Sequence, residues 1–140
     1  MNCTANIIDT PIHDFQENTL ASIKAAFDLG ADIVEIDTHP TTDGEFIVFH
    51  DWTLDRRIDG KSVVRKQNVA YLKSLDIGYG FTADGGKTFP FRGKFIGAMP
   101  TLSEVLAAFP EEQLLINLKS NTVGEAHLLT DYFQAHKYSN

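Results

Sequence analysis

Ile33-Val34-Glu35-Ile36-Asp37, then Thr42-Asp43-Gly44, then Phe46-Ile47-Val48-Phe49-His50-Asp51, is the stretch on which the reading of this chain turns. It predicts two apolar strands, each carrying ionisable groups toward its C-terminal end. Side chains alternate along a strand, so Glu35 and Asp37 point the same way, roughly 7 Å apart along the backbone. Two carboxylates on one face can share a hard divalent cation, because Mg2+ and Ca2+ prefer oxygen ligands. His50 closes the second strand, and imidazole is the side chain suited to carrying protons near neutral pH. Each feature alone is ordinary: a Glu-x-Asp is usually the solvated face of an amphipathic strand, and a single His at a strand end is usually a surface residue. Gathered in one string, where buried strands stop, they indicate a site.

Pro40 and Asp43-Gly44 break the chain between the two strands. Asp-Gly in that setting reads as a hairpin, and a turn centred near Thr42-Asp43 sets Glu35 opposite His50. A parallel pair joined by an extended return also places both groups at one rim, and the sequence leaves the two open. Upstream, residues 1–16 read as loop. A helix starts near Glu17 or Asn18, with Leu20, Ile23 and Phe27 at helical spacing and Gly30 to stop it, and the first strand runs from Asp32 to Asp37.

Downstream, a polar loop covers 52–64, and Val69, Leu72 and Leu75 predict a short helix. The stretch 78–97, rich in Gly, Phe and basic residues, reads as a long loop packed down by Phe81, Phe89, Phe91 and Phe95. Thr101-Leu102-Ser103-Glu104 has capping-box spacing and opens a helix from Leu102 to Phe109. Leu114 to Lys119 is a third buried strand, on which Asn117 and Lys119 share a face as Glu35 and Asp37 do. Glu125 to Lys137 is an amphipathic helix that buries Leu128, Leu129, Tyr132 and Phe133. Apolar strands alternating with helices predict an α/β protein with a parallel sheet.

The chain has 140 residues, the size of one ordinary domain, with 43% hydrophobic and 22% charged residues. Its net charge of −7 argues against nucleic acid as a partner, since phosphate backbones call for a clustered basic surface. A metal ion could still invert the local field for a phosphate ester. Cys3 is the single cysteine, which excludes an internal disulfide. No apolar run approaches the roughly 20 residues of a transmembrane segment. Met1-Asn2-Cys3-Thr4 does not open like a signal peptide. Gly85-Gly86-Lys87-Thr88 resembles a phosphate loop, but Phe81 stands where its first Gly belongs and Phe89-Pro90 where its helix should start. It is not an ATP site.

Together, Glu17-Asn18-Thr19, Gly30 through Asp37, Thr42-Asp43-Gly44, Val48 through Arg56, Asp59-Gly60, Pro100 through Leu106 and the strand ending in Lys119 resemble the glycerophosphodiester phosphodiesterase family in order and in gaps. The resemblance implies a TIM-like (β/α)8 barrel with its site at the C-terminal ends of the strands. It implies metal-dependent hydrolysis of small-molecule glycerophosphodiesters to glycerol 3-phosphate and an alcohol, with Mg2+ or Ca2+ as cofactor. By the same resemblance Glu35, Asp37 and Asn117 are metal ligands, Glu35 and His50 are catalytic, Lys119 contacts the phosphate, and Glu17 lies in or next to the site.

Three departures from the family pattern stand out. Its opening His-Arg-Gly is absent; His13 lies near the right region but in no strand, followed by Asp14-Phe15. Many relatives carry a carboxylate where this chain has Asn117, an amide that still offers a cation an oxygen but no charge. A complete barrel needs about 250 residues, so 1–140 is expected to be a partial barrel of about three parallel strands, truncated at both ends. Such a piece would expose sheet edges that invite self-association. Two other activities share these residues: a non-catalytic module binding a metal and a phosphate ester, and a phosphodiesterase like the phosphoinositide-specific phospholipases C. Whether the protein is cytoplasmic, periplasmic or secreted is unassigned.

Overall fold

Thr19 sets the start of α1 (Leu20–Asp28): its hydroxyl accepts from the Ser22 N–H while the Ser22 hydroxyl accepts from the Thr19 N–H. The helix begins later than the apolar spacing predicts because Asn18 has a positive φ of 56° and is not helical. The computed structural model describes residues 7–120 and 122–136. The first six positions of the expected N-terminal loop, and Lys137 at the end of the expected last helix, lie outside them.

β1 (Ile33–Pro40) runs three residues past its expected end because β2 (Phe46–Val48) turns back and pairs with it. Thr41 closes the turn: its N–H donates to the Glu45 carbonyl at 2.8 Å, and its hydroxyl accepts from the Glu45 N–H at 3.1 Å. Gly44, at φ 83°, takes the left-handed position this turn requires. The pairing is antiparallel, Thr38 with Val48, His39 with Ile47 and Pro40 with Phe46. β3 (Gln113–Leu118) lies parallel on the other side of β1, giving the order β2-β1-β3.

The expectation of three parallel strands is thus corrected for β2. A link as short as 41–45 cannot make a parallel crossover, which takes a dozen residues or more. The register also differs by one from the predicted hairpin. Extended past its end at Val48, the ladder would set His50 across from Ile36 rather than Glu35.

Alternation along β2 divides the interior in two. Phe46 and Val48 join Ile36, Ile23 of α1, Leu102 and Val105 of α3 (Leu102–Ala108) and Tyr132 of α4 (Val123–His136) under the helices. Ile47 points the other way, into a second core with Phe49, Leu54, Val64, Leu72 of α2 (Val69–Lys73) and Met99. Leu128 of α4, expected to be buried, is 52% exposed; Tyr132 carries that face instead. On the uncovered face of the sheet Ile33 and Leu115 are more than half exposed, beside Glu35.

The Gly- and Phe-rich stretch is a packed insertion, with Phe81 and Phe91 buried. Asp76 organises it. Its carboxylate, 2% exposed, accepts the N–H groups of Gly78, Gly93 and Phe95. Gly78 permits the close approach, since a Cβ there would meet the Phe91 carbonyl oxygen at 2.5 Å. Asp76→Ala strands three N–H groups, each worth about 1–3 kcal/mol when buried unpaired. The expected loss is about 3 kcal/mol or more in chemical denaturation, and a loss under about 1 kcal/mol would remove Asp76 from this role. In the phosphate-loop lookalike, the Lys87 and Thr88 N–H groups donate to the Asp84 carboxylate, so they are not available to a phosphate. Those bonds and the Thr88 hydroxyl hold the Asp84 pKa down to about 2.

Candidate active site

Asp37, midway along β1, is the hub of the site. Asn18 grips it twice, accepting from its backbone N–H at 3.1 Å and donating its side-chain N–H to Oδ2 at 3.1 Å. The left-handed turn at Asn18, just ahead of α1, presents this carboxamide to the strand. From β3, Asn117 donates to Asp37 Oδ1 at 2.9 Å, and the Lys119 ammonium lies 3.3 Å from the same oxygen. The parallel register accounts for this, pairing Asp37 with Asn117 so that Asn117 and Lys119 follow one another on the same face. Burial works to raise the Asp37 pKa, but the Asn18 hydrogen bond, the Lys119 ammonium and the charge of His50 outweigh it and hold the carboxyl below its ordinary value.

Glu35 lies two residues earlier on that face, exposed, and makes no hydrogen bond or ion pair among the described residues. Glu35, Asp37 and the Asn117 carboxamide therefore present hard oxygen donors from two neighbouring strands, a set whose chemistry suits Mg2+ or Ca2+. It carries only two formal charges. Among the described residues no group of three or more His, Cys, Asp or Glu could hold a metal ion. Water or substrate oxygens would have to complete such a coordination sphere.

His50 follows β2 and is held by a chain of charges. Its Nδ1 lies 2.8 Å from Asp51 Oδ1; Asp51 Oδ2 lies 2.9 Å from Arg57 Nε; and Arg57 Nη1 pairs with Glu17 Oε1. Asp51 and Arg57 side chains are only 15% and 11% exposed, whereas His50 is 45% exposed. His50 Nε2 makes no hydrogen bond among the described residues. Glu17, Asn18, His50 and Arg57 line one crevice, so the segment ahead of α1 and the end of β2 meet there.

The structure thus brings Asp37, Asn117 and Lys119 into contact, sets Glu35 on their face, and joins Glu17 to His50 through Arg57 and Asp51. His13 sits apart from these contacts: it is exposed, accepts the Phe15 N–H at 3.2 Å and leans against the Phe15 ring. Sequence reasoning missed three of the residues that tie the site together. The Glu17-Asn18-Thr19 run was the signal for Asn18, and adjacency to His50 was the signal for Asp51. Nothing local marks Arg57.

Sequence reasoning also missed His39, which continues the Glu35–Asp37 alternation yet is fully buried. The Trp52 ring meets it edge-on at 5.7 Å, Arg65 stacks on Trp52 at 4.4 Å, and Arg65 pairs with Glu125 of α4. Among the described residues, neither ring nitrogen of His39 has a hydrogen-bond partner of good geometry.

The profile of the glycerophosphoryl diester phosphodiesterase family matches residues 10–135. The chain belongs to that family. It is 36% identical over 104 residues to a glycerophosphodiester phosphodiesterase of Caldanaerobacter subterraneus subsp. tengcongensis, a match covering 74% of this chain and 39% of the relative. The glycerophosphoryl diester phosphodiesterase domain of an uncharacterized Mycobacterium tuberculosis protein superposes with a TM-score of 0.68 at 28% identity, over 88% of this chain and 46% of that one. An Oleispira antarctica phosphodiesterase in complex with the product sn-glycerol-3-phosphate gives 0.65 at 30% identity, over 86% and 46%. These neighbours have the (β/α)8 barrel fold, to which the three-stranded sheet and its helices correspond in part. The chain spans less than half the length of each of these relatives. Among the described residues no helix is long and apolar enough to cross a membrane.

Proposed function

We propose that this chain carries the reaction centre of a glycerophosphodiester phosphodiesterase, hydrolysing a glycerophosphodiester to sn-glycerol 3-phosphate and an alcohol. Family membership and the product-bound relative support the reaction class. The observation that carries the reading is local: Asp37, Asn117 and Lys119 converge on one strand face, with the His50–Asp51 pair close enough for the His50 charge to act on Asp37.

Lys119 supplies a positive charge for the phosphoryl oxygens, and Asn18 and Asn117 keep the Asp37 carboxylate in place. A divalent cation held by Glu35, Asp37 and the Asn117 oxygen would polarise the phosphoryl group and offset charge developing on it. His50, fixed at Nδ1 by Asp51, presents Nε2 for proton transfer. In hydrolysis water adds its oxygen to phosphorus, the P–O bond to the alcohol breaks, and a proton passes to the departing alkoxide. His50 Nε2 is the group placed to move that proton.

Incubation with glycerophosphocholine and millimolar Mg2+ or Ca2+ tests this. The expected result by 31P NMR is replacement of the diester signal by that of the monoester, stopped by EDTA and restored by added cation. A diester signal that persists with every cation supplied would overturn the proposal.

A further inference from the structure

The Gly- and Phe-rich insertion has no part in the hydrolytic chemistry above, yet it grips one residue of the site. Arg57 meets it twice. The Gly80 N–H donates to the Arg57 carbonyl at 2.7 Å, and the Phe81 ring lies under the guanidinium, its centre 5.7 Å from Cζ. Gly80 permits that approach: a Cβ there would stand 2.9 Å from the Arg57 carbonyl oxygen and 3.0 Å from that of Arg56. Phe81 is itself buried and packs edge-on against Phe91. The core of the insertion therefore fixes both contacts.

The far end of Arg57 reaches the group that holds the imidazole. Its Nε lies 2.9 Å from Asp51 Oδ2, and Asp51 Oδ1 lies 2.8 Å from His50 Nδ1. The contact with Oδ2 is ionic, because the Nε–H is not aligned on that oxygen for a hydrogen bond. Nη1 pairs with Glu17, so the planar guanidinium spans two carboxylates in one orientation. Its charge is matched there, which makes it a poor ligand for a phosphate. Without a cation on Oδ2 the Asp51 carboxylate could turn about its Cβ–Cγ bond, and the imidazole would lose the acceptor that keeps a proton on Nδ1.

We propose that Arg57 is a positioning residue through which the insertion orients His50. Gly80 and Phe81 hold Arg57, Arg57 holds Asp51, and Asp51 keeps His50 Nε2 free to accept or deliver the proton. For its effect on rate the inference rests on the hydrolytic reading above, to which it adds a function for the insertion.

Two readouts test it: turnover of glycerophosphocholine, and the 15N NMR signals of the His50 ring with the imidazole neutral. Arg57→Gln should lower kcat by up to about 10²-fold, the cost of a misplaced catalytic group, and leave KM within about twofold. Arg57→Lys keeps the charge but cannot span two carboxylates, so its kcat should fall between the two. Glu17→Gln, at a half-exposed position where folding is not at stake, should give a smaller loss of the same kind. In an Asp51→Asn background Arg57→Gln should cost almost nothing further, because residues that act as a unit are not additive. Gly80→Ala touches no group of the site, but its Cβ should push Arg57 aside and lower kcat too. In the spectra Arg57→Gln and Gly80→Ala should both move His50 from the Nδ1–H tautomer toward Nε2–H. A kcat loss that adds in full to that of Asp51→Asn, a rise in KM in place of the fall in kcat, or unmoved His50 signals in both Arg57 variants would overturn the role of Arg57. Gly80→Ala with kcat and His50 signals unchanged would overturn that of the insertion. A protein that turns over no diester sinks the hydrolytic reading alone, and the spectra still decide this one.

Discussion

Replacing His50 with alanine is expected to lower kcat by about 10²–10⁴, the usual contribution of a positioned proton-transfer group, with little change in KM. The asymmetry follows from the geometry. The cation donors on β1 and β3, and Lys119 just after β3, would still hold the phosphate, whereas proton transfer is felt only in the transition state. Asp51 bears on the same step from behind. Its 2.8 Å contact fixes Nδ1 as the hydrogen-bond donor and leaves Nε2 for the substrate, and Arg57 keeps the carboxylate from turning away. Asp51→Asn should therefore also lower kcat. Circular dichroism should show the His50→Ala fold intact, because that side chain is 45% exposed and packs in neither core. A His50→Ala protein with unreduced kcat would mean that another group moves the proton.

How much of this was legible in the sequence depends on the distance over which each signal acts. Alternation is local, so the shared face of Glu35 and Asp37, and that of Asn117 and Lys119, could be read directly. The match between the two faces followed once β1 and β3 paired in parallel. The hairpin was harder. Asp43-Gly44 marks a turn, but the Thr41 side chain sets the closure, and a one-residue change of centre moves His50 from opposite Glu35 to opposite Ile36. The chain from His50 to Glu17 joins residues far apart in sequence, and such pairing leaves no periodic trace. Arg57 looked like one more charge on a polar loop, yet the fold buries most of it between two carboxylates. Asn18 stands in a readable motif, but its role is not legible there, because its grip on Asp37 requires a backbone turn that spacing does not encode.

His39 shows the same gap between pattern and environment, and it yields the second large expected effect, on stability. Alternation assigns it to the polar face with Glu35 and Asp37, but Trp52 and Arg65 close over it and leave it fully buried. Burial lowers its pKa to about 4, and the charges of Arg65 and Lys119 push the same way; the His50 backbone and Asp37 only partly offset them. In the unfolded chain a histidine takes up its proton near pH 6.5. Between those values the unfolded state binds the proton and the folded state does not, so stability must fall as pH falls. His39 costs the fold nothing above about pH 6.5. Its penalty grows as pH drops through this window and levels off near pH 4 at about 3 kcal/mol, from roughly 1.4 kcal/mol per pH unit. Carboxylates whose pKa is held down, Asp37 and Glu104 among them, lose their contribution progressively from about pH 5 downward, so they add little to the slope above it. Denaturant unfolding at pH 7 and pH 4.5 should therefore show a marked loss in the unsubstituted protein. In His39→Phe, which fills the buried space with an aromatic ring that cannot ionise, much of that loss should disappear. If the two proteins lose stability in parallel over that interval, His39 is not the neutral, desolvated imidazole that its surroundings require.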